Sequence, residues 1–257
     1  DSCKDEIVKN LRKVMEEVLR PENFCVSYTG ERESLDTVKT QAAEIKKVLF
    51  NGQKPEPVKQ APCVKKNEAF KTSGQVQYVA QNGNFRKKGL EYTGALDILK
   101  VILSYDYLWI NIRVKGGAYG CMSGFKRNGE SFLVSYRDPH LKRTLEVYQG
   151  VPDYIRAFEA DEREMTKYII GTISNKDVPR TPQMQGSISK TAYFSNVTED
   201  MLQKERNQIL GAQKEDIQKL AALVEAVLSD DQICVVGSET AIEKAEDVFM
   251  EVKPLIG

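Results

Sequence analysis

The chain has 257 residues, of which 41% are apolar and 29% charged, and its 37 basic residues are matched by 37 acidic ones. That is an ordinary globular balance, with enough chain for one large domain or for one domain and part of another. A neutral chain offers no field to draw nucleic acid or an anionic membrane, and no window approaches the roughly 18 apolar residues that a membrane span needs, so neither partner is expected.

Residues 4–20 place Ile7, Leu11, Val14, Met15 and Val18 at helical spacing, and Pro21 stops that helix. Residues 24–28 read as a short strand, Thr29-Gly30 as a turn, and residues 34–50 as a second amphipathic helix. Residues 51–74 hold Pro55, Pro57 and Pro62 among polar residues and read as a linker. A strand over 75–80 and a strongly apolar helix over 93–104 follow. The segment 108–114 is ambiguous. Ile110, Ile112 and Val114 alternate as in a strand, whereas Tyr105, Leu108 and Ile112 suit a helix with Asp106 as a possible cap.

The segment then ends abruptly in Arg113, the pair Gly116-Gly117 and Tyr119. Arginine offers a planar fork of donors suited to a carboxylate or a peptide carbonyl, and tyrosine a neutral hydroxyl that can donate to an oxygen gaining charge. Glycines between them allow a sharp turn and a close backbone approach. The plainer reading is a glycine-capped helix end with a surface arginine and a core tyrosine. A phosphate-cradling loop over 116–120 is a weak alternative, because the Gly-Lys-Ser/Thr ending of such loops is missing.

Beyond this segment, Asn128-Gly129 between apolar runs is a strong hairpin signal, and Asp138-Pro139 reads as a helix cap. Helices are expected over 140–159, 161–175, 183–195, 198–211 and 214–228, a strand over 233–236, and a closing helix over 239–251. Glu16 to Leu19 aligns with Glu225 to Leu228, and Phe24 to Val26 with Ile233 to Val235. This helix–strand–helix repeat at a separation of 209 residues is the length of a whole domain, not a solenoid period. Residues 1–50 therefore read as the tail of a preceding related domain, cut from a longer chain of tandem domains.

The five cysteines, Cys3, Cys25, Cys63, Cys121 and Cys234, contain no C-x-x-C pair and suit reduced, mostly buried thiols in the cytoplasm or a similarly reducing compartment. His140 is the single histidine, so any Ser-His-Asp or Cys-His unit would have to use it. It is expected in the first turn of an exposed helix rather than in catalysis.

The hairpin, the lead-in from Arg113 to Gly120 and the exit from Ser135 to Pro139 together resemble the C-terminal domain of the insulinase-like (pitrilysin-type) zinc metallopeptidases, most closely the presequence-protease branch. The resemblance covers 75–257 as a full domain and 1–50 as the tail of the one before. It implies an α+β fold, an antiparallel sheet flanked by helices, and a helix rather than a strand ending at Arg113. It also implies that Arg113, with Gly116 and Gly117 shaping the turn, holds an extended peptide substrate. Tyr119 would then hydrogen-bond the scissile carbonyl as it becomes an oxyanion.

The family's zinc motif, H-x-x-E-H with a distant glutamate, is absent, since one histidine cannot supply it. Zinc is thus expected in the N-terminal catalytic half of the parent and not on this chain, which alone would be inactive. That half would be its partner, in the cytoplasm or, in a eukaryote, the mitochondrial matrix or another organelle. Tyr136 and Arg137 read as hairpin-end packing and a charge over the helix start. The reading from another class is a non-catalytic scaffold of the same fold, to be separated by whether the missing half carries H-x-x-E-H.

Overall fold

The computed structural model describes residues 3–53 and 64–255. They fall into two compact units, one formed by the described residues up to 53 with 179–198, the other by 64–178 with 199–255.

The first unit holds α1 (Lys4–Val18) and α2 (Leu35–Lys47), joined through short 3-10 turns at Pro21–Asn23 and Arg32–Ser34. Neither helix buries a residue. The segment 24–28 is extended but pairs with no strand among the described residues, so the strand expected there is not formed. An isolated extended segment has no ladder to satisfy its backbone groups. The helical part of the repeat is thus present in this first copy and its strand is not. The buried Arg20 ties the unit's ends together, donating to Glu22 Oε1 at 2.7 Å and to the Gly52 carbonyl at 2.7 Å.

The second unit is a six-stranded sheet covered by helices on one face. Its strands are β1 (Glu68–Thr72), β2 (Gln77–Asn84), β3 (Gly120–Phe125), β4 (Glu130–Asp138), β5 (Gln232–Ser238) and β6 (Glu251–Pro254), in the order β3-β4-β2-β5-β1-β6. The first four in that order run antiparallel, while β1 pairs parallel with both β5 and β6. The α+β class stands, with a mixed sheet in place of a purely antiparallel one. Two expectations change accordingly. β1 lies within the stretch read as linker, of which 54–63 fall outside the described residues. The closing helix over 239–251 is a short crossover, with helical residues Glu239–Glu243, a 3-10 turn and then β6. A strand reached through such a crossover returns parallel to the one it left.

Along β2, Gln77, Val79, Gln81 and Gly83 face the helices and Tyr78 faces away. The helix α3 (Ala95–Ile102) lays Leu96, Ile98, Leu99 and Ile102 into the core and continues in widened π-type turns over Leu103–Tyr107 and Trp109–Val114. The helical reading of 108–114 therefore prevails over its alternating pattern. The helix expected over 140–159 is two, α4 (Lys142–Gln149) and α5 (Val151–Arg156), broken at Gly150 with Pro152 opening the second. Next come α6 (Glu162–Lys176), whose Asp161 and Glu164 form a capping box, and α7 (Pro182–Phe194), capped by Thr181 and grouped with the first unit. After α8 (Glu199–Leu210), the expected helix over 214–228 is again two, α9 (Lys214–Gln218) and α10 (Ala221–Leu228). Gly83 lets α10 approach the sheet, since a Cβ there would lie 2.0 Å from the Val227 carbonyl oxygen.

Candidate functional site

The widened end of the long helix sets up the site. The Lys115 N–H bonds the Ile110 carbonyl, five residues back, and the helix then closes with Gly117 N–H on the Arg113 carbonyl and Ala118 N–H on the Ile112 carbonyl. π-type turns of this kind concentrate at functional positions. Both glycines are required by geometry. A Cβ on Gly116 would lie 2.4 Å from the Ile112 carbonyl oxygen, and Gly117 has φ +78°, the left-handed region that suits a residue without a Cβ.

The turn brings the predicted pair together. Arg113 Nη1 donates to the Tyr119 carbonyl at 2.5 Å, which uses one of the guanidinium's five donors. The Arg113 Cζ lies 5.7 Å from the centre of the Tyr119 ring. Tyr119 is 58% exposed, so its hydroxyl stands in solvent at the mouth of the turn and not in the core.

Trp109, to which the sequence reading gives no role, and Arg137, read as a charge over the helix start, complete the cluster. Trp109 carries the Arg113 guanidinium on its ring at 4.3 Å, a cation–π contact that the four-residue spacing on a helix face would have suggested. Arg137 lies over the Tyr119 ring at 5.4 Å. Tyr136, read as hairpin-end packing, tilts against Tyr119 with ring centres 5.6 Å apart.

Beneath them Asp138 is fully buried and spends both carboxylate oxygens on the following turn. It accepts the His140 N–H at 2.9 Å and the Thr144 hydroxyl at 2.7 Å. It organises the approach to α4 without being its N-cap, because the helix begins at Lys142. His140 accordingly lies before the helix, partly buried. Cys121 sits next to this group. Burial, and then the Asp138 carboxylate, push its thiol up to about 11, while the Arg113 charge pulls the other way. Cys3 and Cys25 are exposed, against the expectation of mostly buried thiols.

No group of three or more His, Cys, Asp or Glu side chains among the described residues is placed to hold a metal ion, and no helix among them is long and apolar enough to cross a membrane. A cleft of about 610 Å³ beside β6 includes Lys71, but Glu239 and Glu243 hold that ammonium at 3.5 and 2.8 Å. What the Arg113–Tyr119 turn can do chemically is grip a backbone carbonyl with one fork and donate one neutral hydrogen bond beside it.

A family model describing the C-terminal domain of PreP matches residues 67–239. The chain belongs to the presequence-protease family. Its place there is the C-terminal part of the protein. It is 42% identical over 253 residues to protein HypA of Clostridium perfringens, covering 98% of this chain and 26% of that protein. It is 30% identical over 261 residues to presequence protease 1, chloroplastic/mitochondrial, of Arabidopsis thaliana, covering 96% of this chain and 23% of that one. The chain thus spans about a quarter of the length of these curated relatives.

The fold is shared more widely. A peptidase M16 inactive domain from Pseudomonas fluorescens superposes with TM-score 0.53 at 17% identity, over 87% of this chain and 52% of that one. Pitrilysin does so with TM-score 0.52 at 16% identity, over 78% of this chain and 22% of that one. The presequence-protease family is therefore recognised from sequence, and the pitrilysin-type fold from structure.

Proposed function

We propose that this chain is the C-terminal, substrate-binding part of a zinc metalloendopeptidase that degrades unstructured peptides. In this reading it closes a chamber over a zinc site in the N-terminal half of the parent, and residues 1–50 are the tail of the preceding related domain. The observation that carries it is the Arg113–Tyr119 turn, which presents a guanidinium and an exposed phenol side by side on a glycine-shaped loop. Membership of the presequence-protease family supports it, as do relatives named as proteases.

The residues of this chain do not fit the zinc themselves, since one histidine and no metal-binding cluster among the described residues supply no donor set. Arg113 holds a carbonyl of the extended peptide through its free edge and fixes the strand's register. Tyr119 donates its hydroxyl to the scissile carbonyl oxygen, a bond that strengthens as the oxygen gains charge. A chamber that admits a chain only when extended favours flexible peptides over folded proteins. In this reading the protein works in a reducing compartment, the cytoplasm or an organelle matrix, which its odd number of widely spread cysteines supports.

The test is kinetic. In the full-length protein that carries this sequence, Tyr119→Phe lowers turnover of an unstructured peptide by about 100-fold to 1,000-fold, the usual effect of losing one oxyanion donor, and Arg113→Ala lowers it through the lost hold on the peptide backbone. Zinc content stays at one per chain. Wild-type turnover in both variants removes the assignment, and a full-length protein without zinc favours the non-catalytic scaffold instead.

A further inference from the structure

Ser135 and Asp138 are both fully buried and both pair with β2, although they stand three residues apart on β4. Strict alternation puts Ser135 and Arg137 on the helix-covered face and turns Asp138 away. The register shows how this is resolved. Val79 pairs with Ser135 and Gln77 with Asp138, so the single residue Tyr78 faces two, Tyr136 and Arg137. This is a β-bulge, a device that re-aims side chains and recurs beside functional sites. Its second residue takes φ 49°, in the left-handed region. Asp138 then points inward to organise the next turn, and Arg137 points out.

Glycine is the residue best suited to that conformation, because it lacks the Cβ that makes positive φ costly. The chain has arginine there, and its side chain is exposed. What the side chain does find is Tyr119. Its guanidinium lies 5.4 Å from the ring centre, and its carbonyl accepts the Tyr119 N–H at 3.3 Å. Arg113 approaches the same ring at 5.7 Å, so two guanidinium groups flank one exposed phenol.

Resting on the reading of Tyr119 as the carbonyl donor, we propose that Arg137 is a positioning residue. Stacked on the ring and bonded to the backbone of Tyr119, it holds the phenol in the orientation from which its hydroxyl reaches the scissile carbonyl. The bulge is the means by which the sheet delivers it there.

Glycine substitution separates this role from a structural one, because Arg137→Gly removes the side chain while relieving the positive φ. In the full-length protein, Arg137→Gly melts no lower than wild type. Its kcat on an unstructured peptide falls about 10-fold with KM changed less than about 2-fold, the pattern of a mis-set donor. Arg137→Lys, which keeps the charge without the planar stack, recovers part of the loss. In a Tyr119→Phe background Arg137→Gly costs nothing more, since there is no hydroxyl left to place.

Wild-type kcat in Arg137→Gly, or losses that multiply with those of Tyr119→Phe, overturn the proposal while leaving the carbonyl-donor reading intact. Wild-type kcat in Tyr119→Phe removes both. If Arg137→Gly fails to fold, the same cycle run with Arg137→Gln separates these outcomes in the same way.

Discussion

Leu11 and Leu99 occupy similar places in the apolar stripes of α1 and α3, yet Leu11 is 60% exposed and Leu99 is fully buried. The contrast extends to the whole of each unit. Helices α1, α2 and α7 of the first unit bury no residue, while the sheet unit packs α3, α4, α5 and α10 into one continuous core with Val79, Leu133 and Val235. An apolar stripe shows that a helix is built to be covered; it does not say by what. The first unit, with Ile7, Val14 and Val18 in solvent, suits the proposal that residues 1–50 are the tail of a domain. The sheet unit carries its own core, and so it can hold Arg113 and Tyr119 in fixed relation.

The largest expected effect tests this contrast directly. Leu99→Ala should destabilise the chain by about 2–5 kcal/mol through lost burial and the cavity left behind. Leu11→Ala should change it by no more than about 0.5 kcal/mol. Urea titration followed by far-UV circular dichroism reads the helices of both units, and the fluorescence of Trp109, the single tryptophan, reports the sheet unit beside it. Equal losses would break the comparison. In the full-length protein, a rise in the cost of Leu11→Ala would sharpen it by showing that the stripe of α1 is covered there.

A smaller effect compares two glycines. A Cβ at Gly83 meets the Val227 carbonyl oxygen at 2.0 Å, and a backbone atom cannot swing aside as a side-chain end can. Gly83→Ala should therefore cost about 1–3 kcal/mol as α10 is pushed off the sheet. Gly52, in the first unit, has nothing within 4 Å of the same position. Gly52→Ala should be neutral, or stabilise by up to about 1 kcal/mol through the unfolded chain. A loss at Gly52 matching that at Gly83 would mean the first unit is packed more tightly than its exposed stripes indicate.

The parts of this fold legible in the sequence are those fixed locally. The hairpin around Asn128-Gly129 and the turn from Arg113 to Tyr119 each depend on residues a few positions apart. What the sequence concealed depends on distant pairing. β1 becomes a strand because β5 and β6 flank it, and β6 begins where the closing helix over 239–251 is expected to end. Residues 24–28 have strand composition but no partner among the described residues. The segment 108–114 has the alternation of a strand and forms helix; the spacing of Tyr105, Leu108 and Ile112 leaves that open, and the family resemblance decides for it. The contact of Arg137 with Tyr119 was concealed for the same reason as β1. The direction of the side chain is set by a one-residue register shift against β2, which nothing in residues 135–139 announces.

The smallest effect is chemical and reports on the site itself. Cys25 lies exposed in the first unit, whereas Cys121 is half-buried on β3 beside Asp138, its thiol held up at about 11 chiefly by burial. At pH 8 a thiol of that pKa is ionised to only about one part in a thousand, and the thiolate is the species that alkylates. Iodoacetamide followed by peptide mapping should therefore label Cys25 early and Cys121 late, with the Cys121 rate climbing as pH rises toward 11. The sign for stability follows from the same proton. The folded state keeps it while the unfolded thiol has already lost it, so stability falls as pH rises from the ordinary thiol value toward 11. Because the Arg113 charge opposes the upward shift, Arg113→Ala should slow Cys121 labelling further and leave Cys25 unchanged. Unchanged labelling of Cys121 in that variant would mean the guanidinium does not lie over the start of β3 in solution, and the geometry on which the site rests would have to be redrawn.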